Sequence, residues 1–237
     1  MVVLDRMYSE YMKLALFGKD IDASRADIKR LGFDIVSEKP EMVLTFGGDG
    51  TFLKSEAAYP GVPKALIKRS PTCRLCVELP FDEVLSRIRW GDYSTHEIPK
   101  LEVCAGGKRW HALNDVVVKN ANPRHAVRFN VNGLGTAYTN LIGDGLVVAT
   151  TLGSTGYFKS ITKRIFNKGI GVAFNNTSEY FDPVIVPEES FSMEVTVTRG
   201  PALVYADNQE DEVLLNDGDR IEIHLSEERA QVLTFDQ

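Results

Sequence analysis

A chain of 237 residues with 43% hydrophobic and 25% charged residues can bury one large core or two modest ones, which excludes a disordered protein. The net charge of -6 argues against a general nucleic-acid binder, because such a protein needs a basic face for the phosphate backbone. No apolar run approaches the ~20 residues that span a bilayer, and residues 1–11 lack the apolar region of a secretory signal. We therefore expect a cytoplasmic protein with no membrane partner, and three cysteines, an odd number, fit its reducing conditions.

The first 95 residues predict an α/β domain. Apolar runs that end in glycine or proline predict buried strands, and mixed apolar and charged stretches predict short helices between them. Alternation of this kind indicates a layered sheet whose ligand lies at the carboxyl ends of the strands. The predicted strands are residues 12–18, 33–36 and 42–44, and the predicted helices are residues 21–31 and 80–90.

A glycine-rich loop, Gly-Gly-Asp-Gly-Thr at residues 47–51, follows the third predicted strand and precedes a helix. Glycines let bare backbone N–H groups approach a polyanion beside the positive end of a helix, so the loop predicts phosphate binding. Asp49 would repel phosphate unless it holds a metal ion or takes a proton from an attacking hydroxyl. The alternative is a tight turn without chemistry, since Gly and Asp are common turn residues. The phosphate-binding candidates in this loop are Gly47, Gly48, Gly50 and Thr51.

From residue 96 onward the sequence predicts a mostly β domain, so we expect two domains, residues 1–95 and residues 96–237. Short β-branched runs alternate roughly between apolar and polar residues and are separated by Gly, Asn and Asp. No low-complexity linker marks the boundary, which is a change of pattern rather than a flexible tether. The predicted strands are residues 96–103, 109–119, 127–131, 145–150, 193–198, 201–206 and 219–225.

Two groups of polar residues in the β domain are candidates for binding a ligand. Asn114 and Asp115 place an amide beside a carboxylate at a strand edge, where paired donors and acceptors can grip a purine edge or a ribose diol. Taken alone, an Asn-Asp pair is more often a turn. Asp144 lies between two glycines, and residues 153–157, Gly-Ser-Thr-Gly-Tyr, bring hydroxyls and a ring together. Such groups suit a nucleoside better than a metal ion.

Local clusters of basic residues occur in two places in this acidic chain. Either cluster could neutralise a triphosphate, and the alternative for each is a solvated helix face. The first cluster comprises Lys64, Lys68, Arg69 and Arg74, and the second comprises Lys159, Lys163, Arg164 and Lys168.

Cys73 and Cys76 have the spacing of half a zinc site. A structural zinc site needs four ligands, and Cys104 has no close partner in the sequence. We therefore expect ordinary buried thiols and no fixed protein ligands for a metal ion.

The ordered motifs of the chain resemble those of the NAD kinase family over most of its length. The glycine-rich loop alone is weakly specific, because diacylglycerol kinases, sphingosine kinases and phosphofructokinases have similar loops. The second and third motifs together make the resemblance specific. The motifs are residues 47–51, 112–115, 144–145 followed by 153–157, and 207–209 before 218–219.

The resemblance implies a two-domain enzyme that transfers the terminal phosphate of ATP, or of polyphosphate, to the adenosine 2′-hydroxyl of NAD. It also implies Mg²⁺ as the cofactor that screens the donor phosphates, and a homo-oligomer, either a dimer or a tetramer. Asp49 resembles the catalytic base of the family. Apart from the resemblance, Lys159 and Lys163 of the second basic cluster join the glycine-rich loop as phosphate-binding candidates. The residues that resemble NAD contacts are Gly50, Asn114, Asp115, His125, Asp144, Thr155, Tyr157, Ser160 and Gln209.

The chain departs from the family pattern on the side of the phosphate donor. Gly156 stands where the family has Ala, and residues 160–164, Ser-Ile-Thr-Lys-Arg, replace a Ser-Ala-Gly-Gly-Pro segment. Two alternatives therefore stay open. One is a non-catalytic sensor of NAD or NADP, and the other is a kinase of the same loop class that acts on a lipid or another hydroxyl; the absence of an apolar or basic membrane-binding stretch disfavours the lipid.

Overall fold

The computed structural model describes residues 11–71 and 73–236, and these residues form two compact units. One unit contains the described residues up to Ile98 together with those from Ala230 onward, and the other is Pro99–Arg229. The predicted second domain, residues 96–237, is therefore corrected at its C-terminus, where the chain returns to the first unit. The sequence predicts no secretory signal in residues 1–11. Of these residues only Tyr11 is described by the structure, so this expectation lies outside the described residues.

A parallel sheet with three helices forms the first unit. Its elements are β1 (Met12–Gly18), α1 (Arg25–Arg30), β2 (Phe33–Ile35), β3 (Met42–Gly47), α2 (Asp49–Ala58), β4 (Lys64–Lys68) and α3 (Phe81–Trp90). The strand order is β2-β1-β3-β4, and every pair is parallel. The end of a later strand, β16 (Arg220–Thr234), joins β4 in parallel, with Val232 opposite Lys64. Parallel alignment brings Gly47, at the end of β3, opposite Lys68 at the end of β4.

The elements of this unit follow from local patterns. Five of the six residues of β3 are buried, as expected for a parallel strand that is covered on both faces. In α3, the buried Val84, Leu85 and Ile88 follow helical spacing, and Gly91 ends the helix with a left-handed φ of 71°. The predicted α/β character of this part of the chain is confirmed. The predicted helix at residues 21–31 is shorter, because a 3₁₀ turn at Asp22–Ser24 precedes α1.

Two antiparallel sheets form the second unit. Its remaining elements are β5 (Ser94–Ala105), which begins in the first unit, β6 (Lys108–Ala112), β7 (Asp115–Asn120), β8 (Val127–Asn132), β9 (Tyr138–Gly143), β10 (Gly145–Ala149), α4 (Tyr157–Thr162), β11 (Ile170–Asn175), β12 (Val184–Val186), β13 (Ser192–Arg199), β14 (Ala202–Ala206) and β15 (Glu212–Leu215). In one sheet β13 pairs with β16 and β8, and β8 pairs with β9, while β5 and β6 form a hairpin. The other sheet has the order β12-β11-β10-β7-β14-β15. The mostly β character predicted for this part of the chain is confirmed.

The central strands of the second sheet are buried on both faces. Val116 and Val148 pack into the main apolar core of the unit, whereas Ala149 belongs to a smaller cluster beneath α4 that includes Phe158. All five residues of β10 are therefore buried, and its sequence is a continuous apolar run rather than an alternation. Among the described residues, no helix combines the length and the apolar character that a membrane crossing needs.

The sequence predicts one continuous strand over residues 109–119, and this prediction is wrong because the strand is interrupted. The chain leaves β6 at Ala112 and enters β7 at Asp115, so Leu113 and Asn114 lie in a connection between two strands. Strand residues bond to neighbouring strands, but the backbone N–H groups of Leu113 and Asn114 bond instead to the carboxylate of Asp207. The break in the strand is thus made by a side chain that lies far away in the sequence.

Candidate active site

The glycine-rich loop of the first unit joins the end of β3 to the start of α2. Gly48 is extended and its carbonyl accepts the N–H groups of Thr51 and Phe52, which begins the helix at Asp49. The Gly48 N–H lies 3.5 Å from Thr51 Oγ1, which folds back over the loop. A Cβ atom at Gly47 would lie only 2.0 Å from that oxygen, so this position requires glycine. The loop therefore presents the backbone of a helix start with no side chain at Gly47 or Gly48.

Asp49 occupies the first position of α2 and is half-buried. Its Oδ1 atom accepts a hydrogen bond from the backbone N–H of Arg74 at 3.1 Å. Arg74 lies between Cys73 and Cys76, which form a disulfide bond, so the expectation of ordinary buried thiols at these two positions is wrong. The loop after β4 turns tightly enough to bring their Cα atoms to 5.5 Å, a separation that a disulfide requires and that sequence spacing alone does not reveal. Cys104 is a free cysteine.

The sequence places Lys64 in the first basic cluster, which could neutralise a triphosphate. In the structure Lys64 is not available to a phosphate group. Its side chain is fully buried and forms an ion pair with Glu56 of α2. The ammonium group also donates to the carbonyl oxygens of Tyr59 at 2.8 Å and Val62 at 2.7 Å. The lysine therefore ties α2 to β4 and to the turn between them. Lys68, by contrast, is exposed and lies 3.7 Å from Glu78.

Asp207 organises the predicted Asn114–Asp115 site in the second unit. Its carboxylate accepts the backbone N–H groups of Leu113 at 2.9 Å, Asn114 at 2.7 Å and Asp115 at 3.1 Å. In return, the N–H group of Asp207 donates to the Asp115 carbonyl at 2.8 Å. Asp207 lies in one of the motifs, but sequence spacing does not reveal its role, because these bonds join residues more than 90 positions apart. A carboxylate that accepts three N–H groups fixes the backbone from which the Asn114 and Asp115 side chains project.

The carboxyl group of Asp115 is buried close to the carboxyl group of Asp207. Burial and the negative charge of Asp207 raise the pKa of Asp115 to about 7. Burial also raises the pKa of Asp207, although its three N–H bonds and Lys100 act in the opposite direction. Near neutral pH, Asp115 is therefore divided between its charged and neutral forms, a perturbation that is typical of functional sites.

The Gly-Ser-Thr-Gly-Tyr turn packs against the same stretch of backbone. Thr150 Oγ1 donates to the Leu113 carbonyl, and the Thr150 N–H donates to the Asn114 carbonyl at 2.9 Å. A Cβ atom at Gly153 would lie 2.1 Å from the Asn114 carbonyl oxygen, so only glycine allows this approach. A Cβ atom at Gly156 would lie 3.9 Å from Asp115 Oδ2. The structure thus brings the Asn114–Asp115 segment and the turn together, as the predicted nucleoside site requires.

Tyr157, Lys159 and Ser160 are exposed residues of α4, and Lys163, which follows the helix, is exposed as well. The Tyr157 hydroxyl accepts a hydrogen bond from Asn175 Nδ2 at 3.1 Å, and Ser160 Oγ donates to the Tyr157 carbonyl at 2.7 Å. Thr155 is exposed immediately before this helix. The Lys163 ammonium donates to the Ser160 carbonyl at 2.6 Å, which holds it at the C-terminal end of α4.

Asp144 and His125 are linked through Asn120. Asn120 Nδ2 donates to Asp144 Oδ1 at 3.2 Å and to the His125 carbonyl at 3.1 Å. The other carboxylate oxygen of Asp144 accepts from Asn176 Nδ2 at 2.9 Å. The backbone of His125 is therefore tied to the Asp144 side chain, while its exposed imidazole forms no part of that link.

Gln209 contacts the chain next to the Asn114 segment. Its Nε2 atom donates to the His111 carbonyl at 2.8 Å, which anchors the turn after β14 to the end of β6. Its position is that of a support for the connection that begins at Leu113.

The chain is similar in sequence to known NAD kinases. The family profile described as ATP-NAD kinase C-terminal domain matches residues 113–235. A curated NAD kinase from Saccharolobus solfataricus is 27% identical over 215 residues, which cover 87% of this chain and 84% of the relative. An NAD kinase from Thermoplasma volcanium is 29% identical over 215 residues, covering 86% of this chain and 78% of the relative.

Two solved structures share the fold. One is an NAD kinase from Archaeoglobus fulgidus in complex with ATP, with a TM-score of 0.76, 21% identity and coverage of 94% of both chains. The other is yeast NADH kinase complexed with NADH, with a TM-score of 0.81, 16% identity and coverage of 97% of this chain and 85% of the other. At these identities the likeness establishes the two-part architecture, with its α/β and mostly β portions.

Proposed function

Because the chain belongs to the ATP-NAD kinase family, we propose that it transfers the terminal phosphate of ATP to the adenosine 2′-hydroxyl of NAD and so makes NADP. The observation that carries this proposal lies inside the matched segment. Asp207 fixes the backbone of Leu113, Asn114 and Asp115, and the Gly-Ser-Thr-Gly-Tyr turn packs on it, so the polar groups expected for a nucleoside are held in place.

The proposed roles follow from the chemistry of each side chain. The Asn114 amide and the Asp115 carboxyl supply paired donors and acceptors for the hydroxyls and base of the dinucleotide. Asp49 takes the proton from the 2′-hydroxyl as that oxygen attacks phosphorus, and the loop around it offers backbone N–H groups to phosphate oxygens. The further proposed NAD contacts are Gly50, His125, Asp144, Thr155, Tyr157, Ser160 and Gln209.

Mg²⁺ fits the residues present as an ion carried by the phosphate donor. Among the described residues, no group of three His, Cys, Asp or Glu side chains is arranged to hold a metal ion. Mg²⁺ in kinases takes one or two carboxylates besides substrate phosphates and water, and Asp49 is a half-exposed carboxylate in the phosphate-binding candidate loop. When bound, the ion neutralises charge on the donor phosphates.

Incubating the pure protein with ATP, Mg²⁺ and NAD should produce NADP, measured with a dehydrogenase that accepts only NADP. Binding of NAD by calorimetry without NADP formation would identify the dinucleotide sensor instead. Phosphorylation of diacylglycerol in preference to NAD would identify the lipid kinase. Substituting polyphosphate for ATP in the same assay tests the second proposed donor.

Two expectations from the sequence stay predictions. A dimer or tetramer is expected from the family resemblance, and light scattering coupled to size-exclusion chromatography measures it. The cytoplasmic location is the second of these expectations.

The exposed Lys159 of α4 and Lys163, directly after this helix, are proposed to bind the donor phosphates. Replacing both Lys159 and Lys163 with alanine should raise the apparent KM for ATP about tenfold and change the KM for NAD less, because only the donor carries a triphosphate. Steady-state kinetics with each substrate varied in turn measures the difference. Lys29→Ala, an exposed lysine of α1, is the matched control. Equal changes in both KM values would assign these lysines to a solvated helix face.

The raised pKa of Asp115 predicts how stability depends on pH. The folded protein holds a proton up to about pH 7, whereas the unfolded chain releases it near the ordinary value of 3.8. The unfolded state thus binds fewer protons in this window, so the free energy of unfolding falls as pH rises. Between pH 5 and pH 8 the loss from this one group is about 2 to 3 kcal/mol.

Asp115→Asn should remove most of that loss, because the amide does not titrate. From pH 5 to pH 8 the free energy of unfolding should therefore fall for the native protein and change less for the variant, so the variant becomes relatively more stable. Urea unfolding at both values measures it. A constant difference would show that Asp115 titrates in its ordinary range in the folded protein.

A further inference from the structure

The disulfide ring, which we define as residues 73–76, lies against the glycine-rich loop of the first unit. The N–H group of Arg74, inside the ring, donates to Asp49 Oδ1 at 3.1 Å. The sulfur of Cys76 lies 3.6 Å from the Gly47 carbonyl oxygen. The bonded sulfur carries no proton, so this second approach is a contact without a hydrogen bond while the disulfide is intact. The ring therefore touches both ends of the Gly47–Asp49 stretch.

Both ends of the segment that carries the ring are fixed to the sheet. Before the ring, the N–H group of Arg69 donates to the Gly47 carbonyl at 2.9 Å. After the ring, Val77 bridges to Ile67 in parallel, and its N–H group donates to the Leu66 carbonyl at 2.8 Å. Between these anchors, the disulfide holds the backbone around Arg74, and with it the N–H group that contacts Asp49.

The ring is open to a small reductant. Cys73 and Cys76 are both partly exposed, and Arg74 between them is exposed. Two cysteines separated by two residues form the type of disulfide that exchanges readily with thiols, and exposed disulfides are reduced more easily than buried ones. A purely structural disulfide would be expected to close a long loop, where cross-linking removes more entropy from the unfolded chain, but this one joins residues only three positions apart.

We propose that Cys73 and Cys76 are a redox-modification site that positions Asp49, with a dithiol as the reacting partner. The disulfide form holds the Arg74 N–H group on the carboxylate and is the more active form. The reduced form of the protein, in which Cys73 and Cys76 carry free thiols, no longer holds the Arg74 backbone in place and is the less active form. This inference rests on the proposed function, because it takes Asp49 as the group that acts on the 2′-hydroxyl.

Reduction follows ordinary thiol–disulfide exchange. One thiolate of the dithiol attacks a sulfur of the ring, the Cys73–Cys76 bond breaks, and its electron pair leaves on the other cysteine, which takes a proton. The second thiolate of the reagent then attacks the mixed disulfide and releases the remaining cysteine, which also takes a proton. Two electrons and two protons pass to the protein, and the dithiol becomes a disulfide.

The consequence for catalysis is a change in orientation. A freed Arg74 backbone no longer holds Asp49 Oδ1 in one position, and the carboxylate samples more rotamers. Of the NAD contacts proposed above, all except Gly50 belong to the other unit, so the change should appear mainly in kcat and affect the KM for NAD less. The loss of one hydrogen bond that orients a reacting group corresponds to about a threefold to tenfold fall in rate.

The test compares the full chain before and after treatment with dithiothreitol, with thiols counted by alkylation and mass spectrometry. We expect kcat for NADP formation to fall about threefold to tenfold on reduction. The double variant Cys73→Ser and Cys76→Ser should have the reduced value with or without dithiothreitol, and Cys104→Ser, the matched control, should keep the full response. Equal kcat in both forms, with the ring shown to be reduced, overturns the proposal.

A second readout separates this inference from the proposed function. Hydrogen exchange at residues 47–54 is measured in both forms, and we expect faster exchange in the reduced form, independently of any activity. No NADP in either form would refute the proposed function alone. The exchange data would then decide whether reduction of the Cys73–Cys76 disulfide changes the glycine-rich loop. Unchanged exchange together with unchanged activity would refute the redox site while leaving an active kinase in place.

Discussion

Replacing Asp49 with asparagine is expected to lower kcat for NADP formation by a factor of ~10² to 10⁴ or more. The affinity for NAD should stay nearly unchanged. The amide has the shape of the carboxylate, and its oxygen can still accept the Arg74 N–H group, so the loop keeps its geometry. The amide cannot accept a proton from the 2′-hydroxyl, and it holds Mg²⁺ poorly. General-base catalysis typically accounts for a rate factor of this size, and the loss of a metal contact would lower kcat further.

The matched control for this variant is Asp82→Asn. Asp82 is an exposed acid in the first turn of α3, as Asp49 is in the first turn of α2, so both changes remove a negative charge beside a helix start. Only Asp49→Asn should affect turnover. If the folded Asp49→Asn protein makes NADP at a near-normal rate, Asp49 is a turn residue, because asparagine is equally at home in tight turns.

The parts of the fold that sequence predicts well are those made by local patterns. The strand at residues 12–18, which is buried only at its centre, and the helix that Gly91 ends depend on spacing and turn residues within a dozen positions. The return of β16 to the first unit could not be predicted in this way, because a single pairing of Val232 with Lys64 joins residues far apart in the chain. Pairing between distant segments leaves no periodic signal in either one.

The candidate site divides along the same line. The order of motifs identifies Asn114, Asp115 and Asp49. In the structure Asp49 accepts a hydrogen bond from the Arg74 N–H group, and the N–H groups of Asn114 and Asp115 donate to the Asp207 carboxylate. The residues that contact them lie elsewhere in the sequence: Asp207 is more than 90 positions beyond Asp115, and Arg74, between the two bonded cysteines, is 25 positions beyond Asp49. Motifs therefore reveal the residues proposed to touch the substrate but not those that position them.

The buried pair of Lys64 and Glu56 carries the largest predicted effect on stability. Lys64→Ala should lower the free energy of unfolding by about 3 to 5 kcal/mol, because it leaves the buried carboxylate of Glu56 without its counter-charge. Guanidinium or urea unfolding of the variant against the native protein measures the change. Lys68→Ala on the same strand is the matched control, since its exposed pairing with Glu78 should be worth less than about 1 kcal/mol.

The charge pair itself is expected to be replaceable. Changing Lys64 to methionine and Glu56 to leucine together removes both buried charges and fills similar volume, so the double variant should be markedly more stable than either single change. Part of the loss should persist, because the ammonium group also bonds the Tyr59 and Val62 carbonyls that shape the turn before β4. Additive losses in the double variant would show that the pair has no coupling energy and that Lys64 acts only through those two carbonyls.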